Sequence, residues 1–136
     1  MTIGYTTGVF DLFHIGHLNL LKNAKAMCDR LIVGVSTDEL VAQYKNKTTA
    51  VPFNERIEIV RSIGFVDIAI PQENLEKIEA YHKLKFDIVF VGDDWFGHES
   101  WNRTEAFLFE KGVKVIYLPY TKGTSSTIIN KTLQGL

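Results

Sequence analysis

Ten residues near the start of the chain, Gly8 to His17, read GVFDLFHIGH. They hold an aspartate and two histidines spaced three apart, in a chain with four histidines in all. The stretch is too apolar for an ordinary surface loop and too rich in functional side chains for an ordinary core. At a helix start, residues three apart share a face, so the His14 and His17 rings point the same way. A helix N-terminus offers free N–H groups and partial positive charge, which makes it an anion site. Gly16, between the histidines, lets a ligand approach the backbone closely. Two imidazole donors beside such a site suit a phosphate whose charge builds during reaction. Catalysis there rests on positioning and electrostatic stabilisation and needs no covalent enzyme intermediate. Two plainer readings stay open. His17 can be a helix residue satisfied by a backbone carbonyl, with His14 in a loop, or Asp11, His14 and His17 can ligate zinc, although no further Cys or His lies nearby in sequence.

A second polar run, TKGTSST from Thr121 to Thr127, places Gly123 and four hydroxyl residues at a helix start. Backbone N–H groups and the hydroxyls of Ser125, Ser126 and Thr127 can donate to phosphate oxygens. The same residues would also serve as a simple N-cap. Lys45 and Lys47 can cover a polyphosphate or an acceptor phosphate, or merely solvate a loop. Arg56 and Arg61 can back them or face water. Asp93 and Asp94, ahead of Trp95, can hold a magnesium ion, a ribose hydroxyl or a base amine, or cap a turn. The aromatic run around Trp95 reads as a lid or as core, and His82 and His98 as structural. Neither G-x-x-x-x-G-K-[ST] nor G-x-G-x-x-G occurs, which weighs against P-loop NTPases and dinucleotide oxidoreductases.

The elements that must position these residues alternate between strand and helix. Ile3 to Thr7, Leu31 to Ser36, Phe65 to Ile70, Phe86 to Gly92 and Val113 to Pro119 read as strands. Helices are expected over Ile15 to Cys28, from Asp38 behind a Thr37 cap, and over Phe53 to Gly64. Three more fall at Asn74 to Leu84, at Thr104 to Lys111 with Gly112 as its stop, and at Thr127 to Leu133. Tyr44 to Pro52 reads as a lysine-bearing loop. Five strands separated by helices imply a parallel sheet covered on both faces. Ligands in such sheets lie beyond the carboxyl ends of the strands at a switch point. The polar clusters follow strands one, two, four and five, so they converge on one rim.

Composition agrees with one globular domain over residues 1–136: 46% of residues are apolar and 23% charged. The net charge of −1 argues against non-specific nucleic-acid binding. Cys28 is the single cysteine, which excludes an intrachain disulfide and fits a reducing compartment. No signal peptide or membrane span is visible, and the expectation is a soluble, cytoplasmic protein.

GVFDLFHIGH closely resembles the G-x-F-D-x-x-H-x-G-H motif of the cytidylyltransferases. The chain is similar over nearly its full length to the small bacterial members that act on glycerol 3-phosphate. The likeness includes STDEL, YKNK, Glu55–Arg56, FVDIAIP, VGDDW and YLPYTKGTSST. The resemblance implies a Rossmann-like α/β domain of the HxGH nucleotidyltransferase type, a homodimer, and in-line attack of an acceptor phosphate on CTP with magnesium carried by the substrate phosphates. It implies that His14 and His17 stabilise the transition state and that Val9, Phe10, Asp11 and Gly16 flank the nucleotide. It places Lys47 on the CTP phosphates and Lys45 and Lys77 on the acceptor. Asp93 or Asp94 and the segment Tyr120, Thr121, Gly123, Ser125, Ser126 and Thr127 would hold nucleotide and triphosphate.

There are departures from the family pattern. Val9 replaces threonine. Gly64 and Tyr120 replace arginines, while Lys122 replaces glutamate. Leu75 replaces a tryptophan and Ile78 an acceptor-facing lysine, and about six extra residues lie around Glu99 to Glu105. These changes leave open another phosphate ester such as phosphocholine or phosphoethanolamine, adenylyl transfer from ATP, and a non-catalytic nucleotide-binding module.

Overall fold

The strands are short and apolar, and the computed structural model arranges them as one parallel sheet. It describes residues 1–92, 97, 99–119 and 126–135, with only the backbone of 126–128. The strands are β1 (Ile3–Gly8), β2 (Arg30–Ser36), β3 (Ile68–Gln72), β4 (Ile88–Gly92) and β5 (Lys114–Leu118). The helices are α1 (Ile15–Lys25), α2 (Asp38–Lys45), α3 (Phe53–Arg61), α4 (Lys77–Leu84), α5 (Glu99–Glu110) and α6 (Ser126–Gln134). The sheet order is β3-β2-β1-β4-β5, with every pairing parallel. The chain therefore winds outward from β1 to β3, returns, and continues through β4 on the other side of β1. The switch point lies between β1 and β4, and in sheets of this kind ligands lie beyond the carboxyl ends of the strands at such a point.

Strand alternation divides the core between the two faces. Leu31, Val33, Val35 and Phe90 pack with Leu21 and Ala24 of α1 and with Ile57 and Val60 of α3. Ile32, Val89 and Val91 point the other way, toward Trp101 and Leu108 of α5 and Tyr81 of α4. The central strand β2 is buried from Leu31 to Ser36, which explains its unbroken apolar run. Pro71 lies in β3, an edge strand, where a missing N–H costs no ladder bond.

Several boundaries differ from the periodicity. α1 ends at Lys25, before Cys28. α2 runs through Lys45 to a left-handed Asn46, so Lys45 belongs to a helix end and only Lys47 to the loop. α3 stops at Arg61, with Ser62 as its cap, and Gly64 does not terminate it. β3 is shifted toward Gln72, and α4 starts at Lys77 rather than Asn74. α5 begins at Glu99, five residues earlier than expected, because Trp101 is buried against the sheet. Gly112 does stop α5: its φ of +79° is the left-handed geometry that glycine adopts freely.

The amino-terminal rim of the sheet is tied by aspartates. Asp29 accepts from the Thr2 N–H at 2.7 Å, Asp87 from Ile3 at 2.8 Å and Asp67 from Leu31 at 2.7 Å. These carboxylates are consumed in structure. No helix among the described residues is long and apolar enough to cross a membrane.

Candidate active site

The turn between β1 and α1 is locally unfavourable. Phe10 and Leu12 have φ of +56° and +50°, a region that costs a bulky residue on the order of 1 kcal/mol or more. Three contacts hold the chain there. Phe10 is 4% exposed and anchors the turn in the core. A side chain at Gly8 would place its Cβ 2.9 Å from the Phe10 ring, so only glycine lets that ring fold back. The Asp11 carboxylate is buried and accepts from the Ala50 and Val51 N–H groups, both at 2.9 Å. Asp11 thus fastens the 46–52 loop to the turn, and Phe10 packs against the His17 ring, 5.4 Å between centroids.

The two histidines cap α1 for each other. The His14 Nδ1 accepts from the Gly16 N–H at 3.0 Å, and the His17 Nδ1 accepts from the His14 N–H at 3.2 Å. A capping box of this kind normally uses a hydroxyl and a carboxamide or carboxylate; here both acceptors are imidazoles. An Nδ1 that accepts carries no proton, so each neutral ring bears its proton on Nε2. The rings lie 4.0 Å apart, centroid to centroid. Burial lowers the His17 pKa to about 4, helped by the neighbouring His14 charge and opposed by Asp11. Burial also holds His14 below the ordinary imidazole value. At neutral pH the pair presents two uncharged N–H donors at a helix N-terminus whose first turn contains no acidic residue. Such donors stabilise charge that develops on a phosphate oxygen.

Arg56 ties the surrounding loops together, and its role escapes the sequence. Its side chain has no solvent exposure. The guanidinium donates to the Val51 carbonyl at 2.9 Å, Val9 at 2.7 Å, Ser36 at 2.8 Å and the Asp38 carboxylate at 2.6 Å. Asp38 in turn accepts from the Phe53 N–H at 3.1 Å and caps α3, which Pro52 cannot do. Desolvation would raise the Asp38 carboxyl, but the bonds from Arg56, Phe53 and Thr49 leave it below its usual value. A periodic apolar pattern at Phe53, Ile57 and Val60 gives no hint that a charged residue one step away is buried with them. Arg61, by contrast, is exposed and pairs with Glu58 at 2.7 Å.

The remaining expected residues are distributed as follows. Lys45 and Lys47 are exposed beyond β2, with the Lys45 ammonium 5.6 Å from the Tyr44 ring centroid. Lys77 opens α4 and donates to the Thr7 hydroxyl at 3.1 Å, at the end of β1. The rim therefore brings together His14, His17 and Lys77 around β1, with Lys45 and Lys47 beyond β2. Asp93, Asp94, Tyr120, Thr121, Gly123 and Ser125 lie outside the described residues, as do the side chains of Ser126 and Thr127. Both Nδ1 atoms and the Asp11 carboxylate are turned to backbone. No three His, Cys, Asp or Glu side chains converge as metal ligands among the described residues.

Residues 5–132 match the sequence model of a family described as cytidylyltransferase-like. The chain is 43% identical over 132 residues to a glycerol-3-phosphate cytidylyltransferase of Bacillus spizizenii, covering 96% of each chain. It is 30% identical over 130 residues to an FAD synthase of Thermococcus kodakarensis, covering 95% of this chain and 87% of the relative. Among solved structures it is similar to a lipopolysaccharide core biosynthesis protein from Thermoplasma volcanium, with a TM-score of 0.72 and 26% identity. That match covers 91% of this chain and 99% of the other.

Proposed function

The chain belongs to the cytidylyltransferase-like family, and from that premise we propose that it joins CTP to glycerol 3-phosphate, releasing pyrophosphate. An oxygen of the acceptor phosphate attacks the α-phosphorus of CTP. The bond from that phosphorus to the bridging oxygen breaks, and pyrophosphate leaves with the electron pair. The observation that carries the reading is the reciprocal histidine cap: two neutral Nε2–H donors fixed at the N-terminus of α1, beside the switch point. His14 and His17 hold the oxygens of the α-phosphate as charge moves onto the leaving group. Lys47 meets the triphosphate, and Lys45 and Lys77 meet the acceptor. Val9 and Gly16 line the nucleotide through their backbone, while Asp93, Asp94 and the Tyr120 to Thr127 segment complete its site. CTP enters as its magnesium complex, so the metal is part of the substrate.

The relative with the higher identity carries the glycerol 3-phosphate name, and the adenylyl alternative rests on the weaker likeness. The test is pyrophosphate release with magnesium and either CTP or ATP, across glycerol 3-phosphate, phosphocholine and phosphoethanolamine. Turnover with CTP and glycerol 3-phosphate is expected. Preference for ATP would overturn the nucleotide assignment, and preference for another ester would overturn the acceptor. The enzyme is proposed to act in the cytoplasm, where CTP is held, and as a homodimer. The exposed Ile59, Ile68 and Leu75 around the β3 edge are the apolar surface such a dimer would cover. Light scattering at micromolar concentration reads the dimer, and a monomer mass would refute it.

A further inference from the structure

One position near the carboxyl end of β2 has no side chain, and groups from both neighbouring strands close around it. Gly34 pairs with Thr7 of β1 and with Ile70 of β3. A Cβ at Gly34 would lie 2.8 Å from the Tyr5 hydroxyl oxygen, 3.1 Å from the Thr7 methyl and 3.5 Å from the Gln72 Cβ. The glycine therefore makes the place where the Tyr5 hydroxyl rests. Tyr5 reaches it from further back on β1, its ring stacked on Phe86 with centroids 5.1 Å apart.

Tyr5 is 3% exposed and Gln72 6%, yet each keeps a polar group without a partner. Among the described residues the Tyr5 hydroxyl makes no hydrogen bond. The Gln72 amide oxygen accepts from the Ser36 hydroxyl at 2.9 Å, which leaves the Nε2 group unpaired there. No side-chain N or O sealed from solvent lacks a partner among the described residues. The two groups are therefore not sealed in; they open toward the rim where Lys77 meets Thr7. An unpaired polar group at such low exposure destabilises the fold, so two of them around one glycine mark a ligand's place.

The chemistry of the pair selects the ligand. The Gln72 Nε2 only donates, whereas a phenol donates and accepts. A carbon-borne hydroxyl satisfies both, accepting from the amide and bonding the phenol in either direction. A trimethylammonium group has neither donor nor acceptor, and a primary ammonium has no lone pair for the amide. Neither protein group is charged at neutral pH, so the pair suits the uncharged part of a phosphate ester. We propose that the Tyr5 hydroxyl and the Gln72 amide bind the free hydroxyls of the acceptor above the floor that Gly34 leaves open, so that the enzyme takes a hydroxylated phosphate ester and rejects an amine-bearing one. This rests on the reading of the protein as a transferase to a phosphorylated alcohol, and it adds the part of the site that tells one alcohol from another. Thr7 joins the two parts: its methyl borders the floor, and its hydroxyl meets Lys77.

The test is pyrophosphate release with CTP and magnesium on glycerol 3-phosphate, on phosphocholine, and on propyl phosphate, which has three carbons and no free hydroxyl. The parent should favour glycerol 3-phosphate over propyl phosphate by about 10²-fold in kcat/KM, because a site built to bond hydroxyls is left unpaired by the analogue. Tyr5→Phe and Gln72→Met should each cut that preference about tenfold, through glycerol 3-phosphate alone. The melting temperature of Tyr5→Phe should hold or rise, since the lost hydroxyl has no partner among the described residues. Gly34→Ala should cut the preference as Tyr5→Phe does, because its Cβ meets the Tyr5 oxygen, and adding it to Tyr5→Phe should change the preference little further. A purely structural role would slow both esters alike. Turnover of glycerol 3-phosphate with a preference that Tyr5→Phe and Gln72→Met leave unmoved would overturn this inference alone. Faster turnover of phosphocholine than of glycerol 3-phosphate would overturn it together with the acceptor assignment. No release from CTP with any of these esters would overturn the transferase reading and this inference together.

Discussion

Replacing Arg56 by methionine should unfold the rim of the site before it touches any substrate contact. Methionine fills much of the volume but donates nothing. Three carbonyls, Val9, Ser36 and Val51, then lose their donor, and Asp38 loses the guanidinium that bonds it at 2.6 Å. Asp38 is half exposed, so water can satisfy it at little cost. The penalty therefore falls on the carbonyls, of which Ser36 is fully enclosed with the arginine. Leaving a buried acceptor without its donor costs about 1–3 kcal/mol, so three such carbonyls should cost about 3–5 kcal/mol together. For a chain of this length 1 kcal/mol shifts Tm by about 4 °C, so a fall of about 12–20 °C is expected. Urea unfolding and a thermal melt measure it. Activity should also fall at 15 °C, where the variant is still folded, because the Val9 carbonyl steadies the turn that presents His14. Arg56→Lys should recover less than half of the stability, since one ammonium cannot reach acceptors lying in four directions. A Tm within 3 °C of the parent for Arg56→Met, or full recovery by lysine, would refute the reasoning.

Other consequences can be measured on the same enzyme. His17→Ala should lower kcat by about 10²-fold or more with the fold intact, the usual loss for one transition-state donor; near-normal turnover would remove His17 from the chemistry. Because burial holds His17 near 4 against 6.5 in the unfolded chain, the unfolded state binds that proton first. Stability should then be unaffected above pH 7 and decline as pH falls from 6.5 toward 4. The loss should be about 2 kcal/mol at pH 5, and urea titrations of His17→Gln should show a shallower decline. Asp11→Asn should cost about 1–3 kcal/mol, because an amide accepts through one oxygen where the carboxylate served both Ala50 and Val51; hydrogen exchange at those two amides should accelerate, and unchanged protection would contradict the latch.

Much of this site can be read from the chain. Local rules suffice where neighbours in sequence do the work. Thr37 caps α2 through the Leu40 N–H at 3.2 Å, and His14 and His17 meet because a helix start brings residues three apart together. Continuous apolar runs announce strands buried on both faces, and alternation with helices makes the sheet parallel. Boundaries fail where a tertiary contact overrides the local signal, as when the burial of Trp101 starts α5 early. Gly64 has no left-handed turn to serve and terminates nothing.

The sequence by itself determined the class of fold and the pairing of His14 with His17 at the start of α1, because these depend on alternation and spacing along the chain. The tertiary structure decided what those residues can do. Asp11 became a latch because Ala50 and Val51, far along the chain, bring their N–H groups to it. Arg56 became a buried hub because four acceptors from separate segments surround one helix position. Lys77 gained its meaning because α4 carries it to the end of β1, and Thr7 lies 70 residues earlier. Burial, hydrogen-bond partners and charge balance are properties of three-dimensional neighbours, and no periodicity encodes them.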